Sequence, residues 1–175
     1  MSATATLRPE QSEYPSYAES YVARVPDGDI VAILSRQLED TLALIRGTPE
    51  ARGDFRYQEG KWSVKEVIGH IIDGERVFAY RALRFARGDA TALEGFEQDD
   101  YVRGGSFGKR SLSDLADEYE HVRRATISLF SSLDEEAWTR RGTANKNGVS
   151  VRGLAFIVAG HERHHVEILR TRYLS

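Results

Sequence analysis

Three histidines fall within five residues in the stretch "GHERHHVEIL", residues 160–169. His161, Glu162 and His165 spell H-E-x-x-H, the pattern in which two imidazoles on consecutive helical turns hold zinc and a glutamate serves as general base. A helix advances about 100° per residue, so the stretch can be laid on a wheel with Leu154 at zero. His161 then falls at about 340° and His165 at about 20°, in the middle of an apolar stripe that includes Val158 and Leu169. His164 falls at about 280° and Glu162 at about 80°, on opposite edges. Two imidazoles about 6 Å apart along the axis can converge on one cation. Buried side by side without one, they would leave several ring nitrogens in need of partners. His164 reads as a flanking group.

Two ligands make a weak site. Zincin-type sites draw the third from downstream, but only ten residues follow His165, with no histidine and one acid, Glu167, too close on the same helix. The third ligand is therefore expected upstream, from His70 or His121. His121 stands in "DEYEHVRR", a charged run that reads as solvated, as do its arginines Arg123 and Arg124. His70 stands in "KWSVKEVIGHIIDGER", one turn before Gly74, whose missing side chain leaves space beside it. It lies at the edge of its helical stripe, which argues against deep burial, yet it is the better choice.

The elements that would position these residues are four segments of helical periodicity. They span about 27–46, from Ser63 to about residue 86, about 111–133, and from Ser150 to about residue 172. "SVKE" at residues 63–66 is a capping box, and Trp62 before it reads as a hydrophobic staple. No segment sustains period-two alternation, so no strand is expected. The reading is all-α: an antiparallel four-helix bundle with a long loop between its second and third helices. That loop contains "GGSFGKR", which fails as a phosphate loop because Arg103 replaces the leading glycine and Arg110 the Ser/Thr. Asp99, Asp100 and Tyr101 line either the mouth of the site or a loop anchor. Asp73 and Arg76 read as an i, i+3 surface pair.

Composition excludes several classes. The chain has 175 residues, the size of a single domain (1–175), with residues 1–13 expected to be a flexible lead-in. A net charge of −3 gives no reason to expect nucleic acid or an anionic membrane as partner. There is no cysteine, so a disulfide, a thiolate ligand and a cysteine nucleophile are excluded. The first residues show no apolar signal segment, and "LAFIVAG" is too short to span a bilayer, so a cytoplasmic protein is expected.

The run "KWSVKEVIGHIIDGERVFAYRALRFARGD", the following "GFEQDDYV" and the closing "GHERHHVEILRTRYL" together resemble the DinB-like (DinB/YfiT) superfamily over nearly the whole chain. The resemblance implies a four-helix bundle of up-down-down-up connectivity and, in many members, a homodimer. It also implies a divalent metal, zinc or nickel, held by three histidines that map onto His70, His161 and His165. Members include transferases of low-molecular-weight thiols, mycothiol-dependent isomerases and metal-dependent hydrolases. Three neutral histidines leave a coordination position open, as in catalytic sites. A thiol bound there would be deprotonated and a water would titrate near neutrality. The expected function is conjugation of a thiol cosubstrate to a small electrophile. The alternatives are a hydrolase with Glu162 as base, and a non-catalytic metal or ligand module.

Overall fold

Each long helix starts where the sequence supplies a side chain to satisfy its first free N–H groups. The structure is a computed structural model that describes residues 7–175. In chain order the helices are α1 (Glu19–Val22), α2 (Ile30–Gly47), α3 (Val64–Ala86), α4 (Gln98–Gly104), α5 (Leu112–Ser131), α6 (Glu135–Thr139) and α7 (Val151–Ile168), which runs on into a π turn, Leu169–Tyr173. Asp29 caps α2, Ser111 caps α5 and Ser150 caps α7 through their side-chain oxygens. Ser63 caps α3 in the full capping box with Glu66. Among the described residues, no helix is long and apolar enough to cross a membrane.

The bundle is α2, α3, α5 and α7, connected up-down-down-up. Periodicity alone suggests antiparallel neighbours throughout, and the side-chain pairings correct this. Gln37 and Thr41 of α2 meet Ala159 and Glu162 of α7 in rising order, so these two helices are parallel. On α3 and α5, Arg76 pairs with Glu118 and Glu75 with Arg123, while further along Leu83 and Leu129 line one cleft, so these also run parallel. A parallel neighbour requires the chain to travel back along the bundle, roughly 30 Å for a helix of this length. That return is the long connection between α3 and α5, and it contains α4.

A β-hairpin, unexpected from sequence, joins α6 to α7. β1 (Arg141–Ala144) pairs antiparallel with β2 (Asn147–Ser150) across Asn145 and Lys146, both with positive φ, 48° and 62°. This is the turn that suits strand twist, built here without its usual glycine. Strands of four residues are too short to show an alternating pattern. Leu93 of the return connection bonds to the hairpin's edge, its N–H donating to Thr143 O and its carbonyl accepting from Asn145 N, both at 2.9 Å.

The first described residues run along α7. Glu13 is 7% exposed and pairs with Arg152 at 2.6 Å, which pins part of the segment expected to be a flexible lead-in. Residues 1–6 of that segment lie outside the described residues. Further on, a methyl group at Gly160 would lie 2.1 Å from Tyr21 O, so only glycine lets α1 seat against α7 here.

At the bundle's centre lies a charge, contrary to the solvated reading of Arg123. Its side chain is 0% exposed. Nε and Nη2 fork onto Glu75 Oε1 and Oε2 at 2.8 and 2.7 Å, and Nη2 also stands 2.6 Å from Glu162 Oε2. Nη1 donates to Leu34 O at 3.4 Å. Glu162 Oε1 accepts from Thr41 Oγ1 at 2.5 Å and from the Tyr119 hydroxyl at 2.6 Å. Burial alone would lower the affinity of this guanidinium for its proton, but Glu162 and Glu75 more than reverse that. Tyr119, Arg123, Thr126 and Phe130 recur along the buried face of α5, at spacings of four, three and four.

Removing the guanidinium leaves two buried carboxylates facing one another. Breaking such a pair costs about 3–5 kcal/mol. Urea unfolding of Arg123→Met is expected to show a loss of this size, and a midpoint equal to wild type would refute the central role of the charge.

Candidate metal centre

Two faces of the bundle interior are presented by neighbouring residues of α7. Glu162 turns toward α2 and α5, and His161 turns the other way, toward α3. His70, one turn before Gly74 on α3, lies opposite it, with its Nε2 2.9 Å from His161 Nε2. His165 completes a triangle in which ring centroids are 4.6 to 4.8 Å apart. One ring nitrogen from each of His70, His161 and His165 falls within 4.8 Å of the others. Among the described residues this is the single group of three or more histidine or carboxylate side chains so placed. Bonds of about 2.1 Å in a tetrahedron put ligand nitrogens roughly 3.4 Å apart, so small ring rotations bring the three into register.

Packing explains the placement. A Cβ on Gly74 would lie 3.0 Å from His161 Cε1, so the glycine makes room for that ring rather than for His70. Aromatic side chains enclose the site. Trp62 lies against His70 with centroids 4.7 Å apart, and Tyr21 and Phe78 meet His161 edge-on, each at 5.5 Å. The Trp62 carbonyl accepts from the Tyr173 hydroxyl at 2.7 Å, so the staple residue is also anchored from the end of α7. His70 is 3% exposed, deeper than its edge position on the wheel suggests, because Trp62 covers it. His165 is half-buried and forms the outer corner of the triangle.

Burial holds all three rings neutral, the form that ligates metal. It lowers His70 to about 4, with a smaller opposing effect from the Asp99 carboxylate at the start of α4. Burial and the neighbouring histidines lower His165 to about 3 and His161 well below its ordinary value.

Other expected residues sit apart from the triangle. His121 is exposed, and His164 flanks the site edge-on to Tyr21 and His165. Asp73 stands 3.6 Å from Arg76, whose shorter contact, 2.5 Å, is to Glu118. Glu162, the candidate base, is 1% exposed and has its carboxylate engaged by Thr41, Tyr119 and Arg123. It does not face the histidines. Tyr21 and Phe78 carried no sequence signal, because aromatic residues at helical spacing look like ordinary core.

A family model for the DinB superfamily matches residues 33–169. The chain belongs to the DinB superfamily. Among solved structures, this DinB-superfamily chain is similar to YfiT from Bacillus subtilis, described as a probable metal-dependent hydrolase with an unusual four-helix bundle topology. That match has a TM-score of 0.68 at 14% identity and covers 94% of this chain and 92% of YfiT. It is also similar to a mycothiol-dependent maleylpyruvate isomerase, with a TM-score of 0.65 at 14% identity over 83% of this chain. Only 61% of the isomerase is covered. No curated protein matches the chain by sequence.

The histidines bind protons less readily when folded than at the ordinary value of 6.5. Below that value the unfolded chain takes up more protons, so acid favours unfolding. The metal-free protein is expected to hold its full stability above pH 6.5 and to lose it as pH falls through about 4 and toward 3. Thermal melts across this range check the expectation, with His165→Leu giving a shallower decline. A melting temperature independent of pH would contradict the neutral, buried triad.

Proposed function

We propose that the protein is a divalent-metal-dependent enzyme whose His70, His161 and His165 hold zinc or nickel, and that it conjugates a low-molecular-weight thiol to a small electrophile. The carrying observation is the donor set, three neutral imidazoles with no carboxylate among them. Such a set leaves the charge of the cation undiminished, and a divalent cation there would acidify a thiol that binds it. Trp62, Phe78 and Tyr21 supply an apolar wall that excludes water around the reacting groups. The chain has no cysteine, so the thiol enters as cosubstrate. The thiol dependence of the similar isomerase agrees with this reading.

Hydrolysis is the second reading, and the description of YfiT favours it. A side chain placed to take a proton from the attacking water would assist it. Glu162 is committed to Arg123, Thr41 and Tyr119, so it does not serve as that base. The acid whose charge acts on His70 is Asp99, exposed on α4. For this reason the thiol reading stands first. A cytoplasmic homodimer acting on small molecules belongs to the same proposal.

Metal analysis of the purified protein beside His161→Ala tests the first half. Wild type is expected to carry stoichiometric divalent metal and the variant to lose it. Assays with mycothiol, bacillithiol and glutathione against electrophiles, run beside a panel of esters and amides, test the second. Metal-dependent consumption of one thiol supports the transferase. Metal-dependent ester or amide cleavage without thiol would replace it with the hydrolase.

A further inference from the structure

A cleft of about 340 Å³ lies between α3 and the connection that leads from it to α4. Val77 and Tyr80 of α3, Leu93 and Phe96 of the connection and Tyr101 of α4 form its largely apolar walls. Phe96 and Tyr101 lean together there, with ring centroids 5.0 Å apart. Set into these walls is Arg81, which is 5% exposed. A guanidinium taken this far out of water is normally met by a carboxylate. The other buried arginine, Arg123, is answered by two. Arg81 has none among the described residues. Its single hydrogen bond there is from Nη2 to the Glu94 carbonyl at 2.8 Å, and the Phe96 ring centroid lies 6.0 Å from its Cζ.

The remaining donors of Arg81 stay open to the cleft. Among the described residues, the buried side-chain atoms that are both sealed from solvent and unpartnered are Gln37 Oε1 and Glu162 Oε2, and no nitrogen of Arg81 is one of them. Neighbouring charges leave it unanswered. Arg76, also on the cleft, is engaged by Glu118 at 2.5 Å. Glu94 is exposed and offers Arg81 its carbonyl, while its carboxylate makes no ion pair with the guanidinium. Burial weakens the hold of Arg81 on its proton, and the Tyr17 and Tyr101 hydroxyls offset part of that effect. The group nonetheless stays charged at neutral pH.

This cation stands on the wall of the histidine site. Gly74, Phe78 and Arg81 share one face of α3, at spacings of four and three. His161 packs on Gly74 and meets Phe78 edge-on at 5.5 Å. Tyr21 meets His161 as well, and Tyr17, four residues earlier, is one of the two hydroxyls felt by Arg81. The stretch that supplies Tyr101 also supplies Asp99, whose charge acts on His70. Arg81 lies about 10 Å further along α3 than Gly74.

We propose that Arg81 is an anion-binding residue that takes the carboxylate of a small, flat organic acid, whose apolar body lies against Tyr80, Phe96 and Tyr101. The planar guanidinium offers paired donors that match a carboxylate. A phosphate would bring up to two negative charges to one cation among apolar side chains, and a neutral amide would leave the cation unanswered, so a monocarboxylate fits best. The inference holds with or without a metal at the triad.

Calorimetric titration of the full chain with benzoate and phenylacetate tests this, with benzamide and inorganic phosphate as controls, before and after removal of metal by a chelator. At least one of the two acids is expected to bind saturably in both states, with each control weaker by about tenfold or more. Arg81→Gln keeps a donor for the Glu94 carbonyl but removes the charge, and is expected to weaken binding about tenfold at unchanged metal content. Tyr101→Glu, at a position 46% exposed, places a carboxylate of the chain's own beside the guanidinium. It is expected to weaken binding as well, and so reports even where the Arg81 variant folds poorly. Four results would overturn the proposal: no saturable binding by either acid, binding that neither variant weakens, a control that binds as tightly as the better acid, or binding that disappears with the metal. The last would put the carboxylate on a cation held by the histidines. Stoichiometric metal without acid binding would refute this site and leave the triad standing, whereas acid binding by a chain that holds no metal would do the reverse.

Discussion

A guanidinium with no access to water is the constraint around which this bundle is arranged. Taking a charge out of water costs several kcal/mol even after the protein relaxes, and only close, directed partners offset that. Arg123 obtains them from three other helices: Glu75 of α3, Glu162 of α7 and the carbonyl of Leu34 on α2. Apolar side chains tolerate sliding by fractions of a turn, whereas a forked pair does not. The register of four helices is thus set at one point. Glu75 follows Gly74 and Glu162 follows His161, and Gly74 and His161 pack on each other. The charged cluster on one side of that contact therefore fixes the imidazole on the other.

Connectivity follows from the same arrangement. Arg123 meets Glu75 with α3 and α5 running parallel, so the chain between them must return along the bundle. The return is not left loose. Leu93 bonds to the edge of the hairpin, and buried Arg81 of α3 donates to the Glu94 carbonyl at 2.8 Å. Both ties hold the stretch that leads to α4 and Asp99, close to the histidines.

The sequence makes the four helices and two of the three histidines legible for physical reasons. Caps are local, so Ser63 with Glu66, Ser111 and Ser150 mark their helices without knowledge of the rest of the fold. His161 and His165 sit in mid-stripe, where one wheel suffices. His70 is harder because its burial comes from Trp62 and from helices far away in sequence. Arg123 misleads, since a wheel shows it in line with Tyr119 and Phe130 but residue type argues for solvent. Its partners, Glu75 and Glu162, are ordinary helix acids until the helices meet. The hairpin escapes because its strands are short and its turn, Asn145–Lys146, lacks the glycine that usually marks one. Glu162 shows the limit of a motif: H-E-x-x-H fixes the spacing of the acid but not the side of the helix that finds a partner.

His70 and His161 are separated by 91 positions in the chain, yet their ring nitrogens are 2.9 Å apart. Neither α3 nor α7 can present a metal site alone, and the unfolded chain holds no such triangle. A cation with three protein ligands would therefore recognise only chains whose last long helix has already docked against α3. Cation capture would then report completed folding, and its binding free energy would add to the stability of the folded state alone.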